Sequence, residues 1–367
     1  MIGLSLSGGG SRAIAFHLGC LRALNKLGLL DAVDVISAIS GGSVIATYYA
    51  YHPELSFSQF EDNIVKMLLQ GFEMAFKRKL LLPVNVLSCA SASVVGFVND
   101  LISFGFKSPC VLPHIPSRSD IFYGVLRDTV FGGLTLRSEM RRGKSLIVGA
   151  SEMNQGVSFR FGSEFSGSSY HGELVENNVE LALAVAASAA YPVLLPSIDR
   201  TWIFEKNGGV CKARVALSDG GIHDNLGLQV LTPDHDQENV PHLKSCSHII
   251  ACDAGRAVPL IRQMPLGYLR RVARSFEIVH RRSQTAVLHH LFGLKRFGAI
   301  NTFSLSYLGQ KDDRILVSVP NLITRDEVVG YPTDFSAMSF EWLDKLALRG
   351  EQLTSINVQT YMKQLLG

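Results

Sequence analysis

The chain has 367 residues, and 35 Lys and Arg against 32 Asp and Glu leave a formal net charge of +3. Charged residues make up 18 % and hydrophobic residues 47 %, with a mean hydropathy of +0.20, where an average soluble protein is roughly 25 % charged. An intrinsically disordered chain is excluded, six cysteines are too few for a disulfide scaffold, and the near-balanced charge argues against nucleic-acid binding through net charge.

No basic stretch followed by an apolar core opens the chain, so no secretory leader is expected. Residues 2–7 alternate apolar and small polar side chains and run into Gly8-Gly9-Gly10, a strand stopped by a glycine turn. Ala13, Phe16, Leu18, Leu21, Leu24 and Leu27 give residues 13–27 a broad apolar face at helical spacing. Residues 33–39 read as a second strand, and Ser43 to Tyr51 as a second helix. This alternation is the rhythm of a parallel sheet with helices on its faces.

Residues 52–135 break the rhythm and are expected to form a cap insertion. They carry a helical stretch, the basic cluster Lys77-Arg78-Lys79, an apolar run and a Pro/Ser-rich segment from 108 to 119. Strand character returns at 145–150, and Gln155-Gly156 sets up a hairpin with 157–161. An Ala-rich helix at 179–190 stops at Tyr191-Pro192. Residues 215–218 lead into Asp219-Gly220-Gly221, and 248–253 form another buried strand. An Arg-rich helical stretch follows, then a helical C-terminal segment at about 331–367. One domain over residues 1–367 is the economical organisation. Cys20, Cys89, Cys110, Cys211, Cys246 and Cys252 form no Cys-x-x-Cys pair and read as inert thiols of a reducing compartment.

Ser40 lies between a strand and a helix and is followed by Gly41 and Gly42. That is the layout of a nucleophile elbow, with Ala38 where Gly-x-Ser-x-Gly has its first glycine. A Ser-Gly-Gly loop also serves as a plain turn. The Gly8–Gly10 loop suits an oxyanion hole, a turn, or a nucleotide cradle, since Gly8-x-Gly10-x-x-Ala13 with Asp34 downstream fits the dinucleotide fingerprint. Asp219, trailed by two glycines, is free to approach another side chain or to form an Asx-turn.

Taken together, Gly-Gly-Gly-x-Arg, the elbow and Asp219-Gly220-Gly221-x-x-Asp224-Asn225 resemble the patatin-like lipid acyl hydrolases. The resemblance extends through Ala187 to Pro196 and covers residues 3 to about 255. Ala38 and Ala13 depart from the family pattern by the smallest available changes. The resemblance implies a three-layer α/β fold with a mainly parallel central sheet, helices on both faces and a helical cap. It also implies a Ser-Asp dyad. Ser40 would be the nucleophile, Asp219 the general base, and the Gly8, Gly9, Gly10 and Gly41 amides the oxyanion hole. Gly42, Gly220 and Gly221 would support the motifs, and Arg12 would fix the glycine loop or meet an anionic head group. The activity implied is release of fatty acid from membrane phospholipid through an acyl-enzyme. His223 is not expected to act. No cofactor is expected, and no metal at His280, His289 and His290.

Residues 80–99 carry no charge and contain Pro83, two Asn and several Ser, a composition poor for a spanning helix and suited to a buried or interfacial one. The apolar surplus gathers in 80–106, with Lys107 beyond it. Lys77, Arg78 and Lys79, and the cations of 262–296 (Arg262, Arg270, Arg271, Arg274, Arg281, Arg282, Lys295 and Arg296), suit an anionic membrane surface. A cytoplasmic, peripherally membrane-bound protein is expected, with a regulatory partner or ligand conceivable. Two alternatives compete: a nucleotide-binding module built on the glycine loop, and a catalytically weak relative switched by a partner.

Overall fold

The computed structural model describes residues 1–91, 95, 116–192, 194–233, 244–256, 263, 264, 267–317 and 319–366. Strand β1 (Ile2–Leu6), helix α1 (Gly10–Lys26), strand β2 (Val35–Ile39) and helix α2 (Gly41–Ala50) follow the expected order. All five residues of β2 are buried, as a strand covered on both faces requires.

Helix α3 (Phe57–Gln70) starts at a capping box in which Ser56 Oγ accepts from Gln59 N at 3.3 Å and Gln59 Oε1 accepts from Ser56 N at 2.9 Å. It buries Phe60, Ile64 and Leu68, one residue per turn on a single face. Helix α4 (Glu73–Leu80) buries none of its side chains. Helix α5 (Arg118–Leu126) buries Ile121, Phe122, Val125 and Leu126 and runs into a π-helical turn, Arg127–Phe131. The expected 52–135 insertion therefore contributes to the main core at both ends, and between them Ala75 and Phe76 of α4 lie half-buried against it. A periodic apolar face fixes that a helix is buried, but not against which partner. Residues 92–94 and 96–115, which include Lys107, Cys110 and most of the apolar surplus, lie outside the described residues. Among the described residues no helix is long and apolar enough to cross a membrane.

Next come β3 (Ser145–Glu152), β4 (Val157–Gly162), β5 (Ser166–Ser168), β6 (Gly172–Leu174), α6 (Leu181–Ser188), β7 (Ile198–Lys206) and β8 (Gly209–Asp219). A one-turn helix, Gly221–Asp224, leads on to β9 (His248–Asp253), α7 (Tyr268–Arg296), β10 (Thr302–Tyr307) and α8 (Phe340–Tyr361). The sheet order is β10-β9-β1-β2-β3-β4-β5-β6-β7-β8, and β8 also pairs with β3.

The mainly parallel sheet expected from the sequence is corrected here. Strands β10, β9, β1, β2 and β3 pair parallel. From β3 to β8 every pairing is antiparallel, and β8 returns to β3 to close a ring. Short hairpins impose this. Asn207 and Gly208, both at positive φ (52° and 76°), join β7 to β8. That is the two-residue turn whose twist matches an antiparallel pair.

The parallel half is covered on both faces, as expected. Leu4, Leu6, Ile36, Ala38, Ile250 and Cys252 pack in one core with α1, α2 and α8. Val35, Ile147, Ile249 and Ala251 pack in a second with Leu291 of α7. Helices α1 and α8 touch backbone to backbone: a Cβ at Gly19 would overlap the Ala347 carbonyl, and one at Gly350 the Phe16 carbonyl.

Candidate active site

Ser40 sits in the single-residue corner between β2 and α2, with φ 49° and ψ −121°. A non-glycine residue there is strained by roughly 1–3 kcal/mol and persists only where its surroundings hold it. Those surroundings leave no room for side chains beside it. A Cβ at Gly41 would overlap the Gly10 carbonyl oxygen, and one at Gly42 the carbonyl oxygen of Leu6. Ala38, by contrast, buries its methyl in the main core, so its departure from glycine is accommodated.

Asp219 reaches Ser40 through the ring closure. Strand β4 takes one edge of β3, and β2 and β8 share the other: Ile39 pairs with Gly149, and Asp219 with the next residue, Ala150. The residue after Ile39 and the last residue of β8 therefore meet where the two strands abut along that edge. Asp219 Oδ1 accepts from Gly221 N at 2.7 Å. Burial raises the carboxyl from its ordinary range to about 6, opposed by the Gly221 amide and by the Ser40 side chain. A buried acid of this kind is poised as a proton acceptor near neutral pH.

The shift also sets a stability trend. The folded carboxyl holds its proton up to about pH 6, whereas an unfolded Asp releases it near 3.9. Stability therefore falls as pH rises from about 4 to about 6, by on the order of 3 kcal/mol, and stays lower above that. Asp219→Asn keeps the acceptor for Gly221 N without the charge. It is expected to unfold at higher denaturant than wild type at pH 8, with the gap closing by pH 4. Urea titrations at both values check this, and equal midpoints at pH 8 would contradict it.

Two helix N-termini converge at this corner, those of α1 and α2, and their dipoles favour negative charge. Among the described residues the amides of Gly9, Gly10 and Gly41 have no protein acceptor. The Gly8 amide differs from expectation: it donates to the Asn225 carbonyl at 3.1 Å. Its glycine is needed for space, since a Cβ would overlap Asn225 Oδ1. Gly220 abuts the Gly149 carbonyl, and Gly221 abuts Asn225 Oδ1 and Asp219 Oδ1.

Arg12 is 4 % exposed. It donates from Nε to Ala254 O at 3.0 Å, and from Nη1 to Tyr331 O at 3.2 Å and Thr333 Oγ1 at 2.7 Å. It ties the glycine loop to the end of β9 and to the 331–334 loop. Asp224 accepts from Leu226 N at 3.1 Å and Gln229 N at 2.8 Å, a turn-shaping role.

His223 is held neutral chiefly by burial, and its Nδ1 has no hydrogen-bond partner among the described residues. Asp219 takes its polar interactions from Gly221 and Ser40 instead. His223→Ala is expected to keep ester turnover within about threefold of wild type, measured by fatty-acid release; a folded, inactive variant would contradict the dyad. Asp34 lies at the N-terminal end of the parallel strands, opposite to the glycine loop at their C-terminal end. It precedes β2 and accepts from Ile2 N at 2.7 Å through Oδ2. The dinucleotide reading needs the acid and the glycines at one end, so it is set aside. No group of three His, Cys, Asp or Glu side chains among the described residues could hold a metal ion.

Three residues near the site were not expected. Ser188 Oγ accepts from Ser40 N at 2.8 Å. Tyr191 lies near enough to Asp219 for that charge to help burial raise its phenol. His280 of α7 hydrogen-bonds the Gly221 backbone and stacks on Phe276, which contacts Tyr191 edge-on with centroids 5.6 Å apart. The helix spacing of Phe276 and His280 was visible in the sequence, but not which element it would meet.

The remaining basic candidates divide. Lys77 pairs with Glu73, and Lys79 with Asp128 at 2.6 Å. Arg274 pairs with Glu277 at 2.9 Å, and Arg281 bonds Tyr307 Oη at 3.0 Å. Arg78, Arg270, Arg271, Arg282, Lys295 and Arg296 are exposed. Arg262 lies outside the described residues.

Comparison with known proteins adds the following. The family model described as patatin-like phospholipase matches residues 4–232. Cytosolic phospholipase A2 delta of Mus musculus is 37 % identical over 79 residues, 20 % of this chain and 10 % of that protein. Its Homo sapiens counterpart is 41 % identical over 64 residues, 17 % and 8 %. The solved structure of human GIVD cytosolic phospholipase A2 covers 100 % of this chain and 59 % of its own, with a TM-score of 0.55 at 15 % identity, a likeness of fold. The chain thus spans less than two thirds of that structure, and its sequence match takes in about a tenth of the curated relatives.

Proposed function

The chain belongs to the patatin-like phospholipase family, and from that premise we propose that it hydrolyses acyl esters of membrane phospholipids through a Ser40–Asp219 dyad. The supporting observation is the meeting of the strained Ser40 corner, a buried Asp219 raised to about 6, and the open Gly9, Gly10 and Gly41 amides. Ser40 Oγ attacks the ester carbonyl carbon as Asp219 takes its proton. The tetrahedral oxyanion lies against the Gly9, Gly10 and Gly41 amides. Collapse expels the lysolipid alkoxide, which takes the proton from Asp219. Water then attacks the acyl-enzyme, Asp219 again accepts the proton, and Ser40 recovers it as the fatty acid leaves. The human neighbour has been solved with methyl gamma-linolenyl fluorophosphonate. The same reagent is expected to label this chain at Ser40 and to block release of fatty acid from mixed phospholipid vesicles. Undiminished release from fully labelled protein would reject the dyad.

We further propose that the stretch from α4 onward acts as a cap, and that the mouth docks on an anionic lipid surface. Leu81, Leu82, Val84, Val86 and Leu87 are exposed beside Lys77 and Arg78. Helix α7 exposes Val272, Ile278 and Val279 with Arg271 and Arg282. The start of α4 and helix α7 are each tied to the site. Phe72, which opens α4, donates its amide to Phe335 O at 2.9 Å, and the neighbouring Asp334 carbonyl holds Ser11 N at 2.7 Å. Helix α7 meets Gly221 through His280. Cations interleaved with apolar groups suit a charged interface. Vesicle sedimentation is expected to rise with anionic lipid, fall with salt, and drop roughly tenfold in Arg271→Glu/Arg282→Glu. Equal, salt-independent binding to neutral vesicles would contradict this.

A further inference from the structure

Beyond the dyad itself, we propose that Ser188 is a positioning residue that sets the separation of Ser40 and Asp219. It lies at the C-terminal end of α6, an Ala-rich helix whose last carbonyls have no intrahelical partner. Three of the groups at this end are spent on the site. The Ser188 hydroxyl accepts from Ser40 N at 2.8 Å and donates to Gly149 O at 2.6 Å. The Ser188 carbonyl accepts from Gly220 N at 3.1 Å. Two residues on, the Ala190 carbonyl accepts from Asp219 N at 3.0 Å and from Ser218 Oγ at 2.8 Å. Residues 188–190 thus grip the backbone of the nucleophile on one side and that of the base on the other.

The grip matters because of the corner's backbone. Ser40 at φ 49° cannot continue the ladder of β2, so its amide needs an acceptor from elsewhere. Ser188 is fully buried. Small neighbours are also required. Ala186 and Ala187 are fully buried, so α6 lies close enough for a one-carbon side chain to span from Gly149 to Ser40. Loss of the hydroxyl leaves the Ser40 amide and the Gly149 carbonyl without this partner and lets the corner relax away from Asp219.

The inference rests on the dyad reading, and the test separates the two. Wild type, Ser188→Ala, Ser188→Cys, Ser188→Thr and Leu183→Ala are compared for kcat and KM on phospholipid vesicles and for the rate of fluorophosphonate labelling. Ser188→Ala is expected to lose roughly 10- to 100-fold in kcat and labelling rate with KM within about twofold. Ser188→Cys fills the space but donates poorly and is expected to match it, which covers the case in which the alanine variant does not fold. Ser188→Thr, which keeps the hydroxyl, is expected to restore most of the loss. Leu183→Ala removes packing from the same helix and is expected to lower thermal stability while leaving kcat within about twofold. Wild-type kcat and labelling in both Ser188→Ala and Ser188→Cys would overturn the positioning role, as would an equal loss in Leu183→Ala. A Ser40→Ala protein labelled as fast as wild type would remove the dyad, and the clamp with it.

Discussion

Asp219→Asn is expected to lower fatty-acid release by roughly 10⁴-fold while leaving the protein folded. The carboxylate is buried at the end of β8, and among the described residues no other titratable group takes its place beside Ser40. An amide still accepts from Gly221 N but cannot take the serine proton. The wild-type enzyme is expected to gain kcat/KM as pH rises and to level off above about 6, where Asp219 becomes ionised. The residual activity of Asp219→Asn is expected to lack that limb. Steady-state assays from pH 4.5 to 8.5 read both. A variant within tenfold of wild type, or one with an unchanged limb near pH 6, would mean that another group is the base. The same substitution is expected to stabilise the fold at pH 8, so a loss of activity is not explained by unfolding.

Gly41→Ala is expected to cost roughly 10²- to 10³-fold in kcat, and about 1–3 kcal/mol in stability through overpacking. The backbone of Gly41 is ordinary helix, so strain at φ is not the reason. A Cβ there would overlap the Gly10 carbonyl oxygen and come 2.8 Å from the Gly10 nitrogen. Relief requires the N-termini of α1 and α2 to separate. On the proposed mechanism their amides, Gly10 and Gly41, are the ones that meet the developing oxyanion together. Kinetic assay beside thermal melting checks the pair of effects. A variant that melts lower but keeps kcat within about threefold would place the oxyanion elsewhere.

Much of the site was legible because turn chemistry is local. Gly8–Gly10, Ser40-Gly41-Gly42 and Asp219-Gly220-Gly221 each end a strand, and each of these glycines except Gly9 sits where a side chain would collide. What the sequence left open was non-local. The Gly8 amide is taken by Asn225, from a distant part of the chain, and the acceptor could not be read from either segment alone. The antiparallel ring was missed for a related reason. Strands β5 and β6 are three residues each, too short to show alternation, and the β3–β8 pairing depends on all the hairpins between them. The Asn207-Gly208 turn was the signal that could have revealed it. The packing partners of the expected insertion were equally non-local: α3 and α5 show apolar faces in sequence, but only the fold shows those faces in the main core. Ser188 was invisible as anything but a small residue in an Ala-rich helix.

The central claim is that Ser40 attacks and Asp219 activates it. The direct measurement is covalent labelling by a lipid-like fluorophosphonate, with the adduct mapped by peptide mass spectrometry in wild type, Ser40→Ala and Asp219→Asn. One adduct on Ser40 in wild type, none in Ser40→Ala, and strongly slowed labelling in Asp219→Asn is the predicted result. An adduct on another residue, or labelling of Ser40→Ala at the wild-type rate, would contradict it.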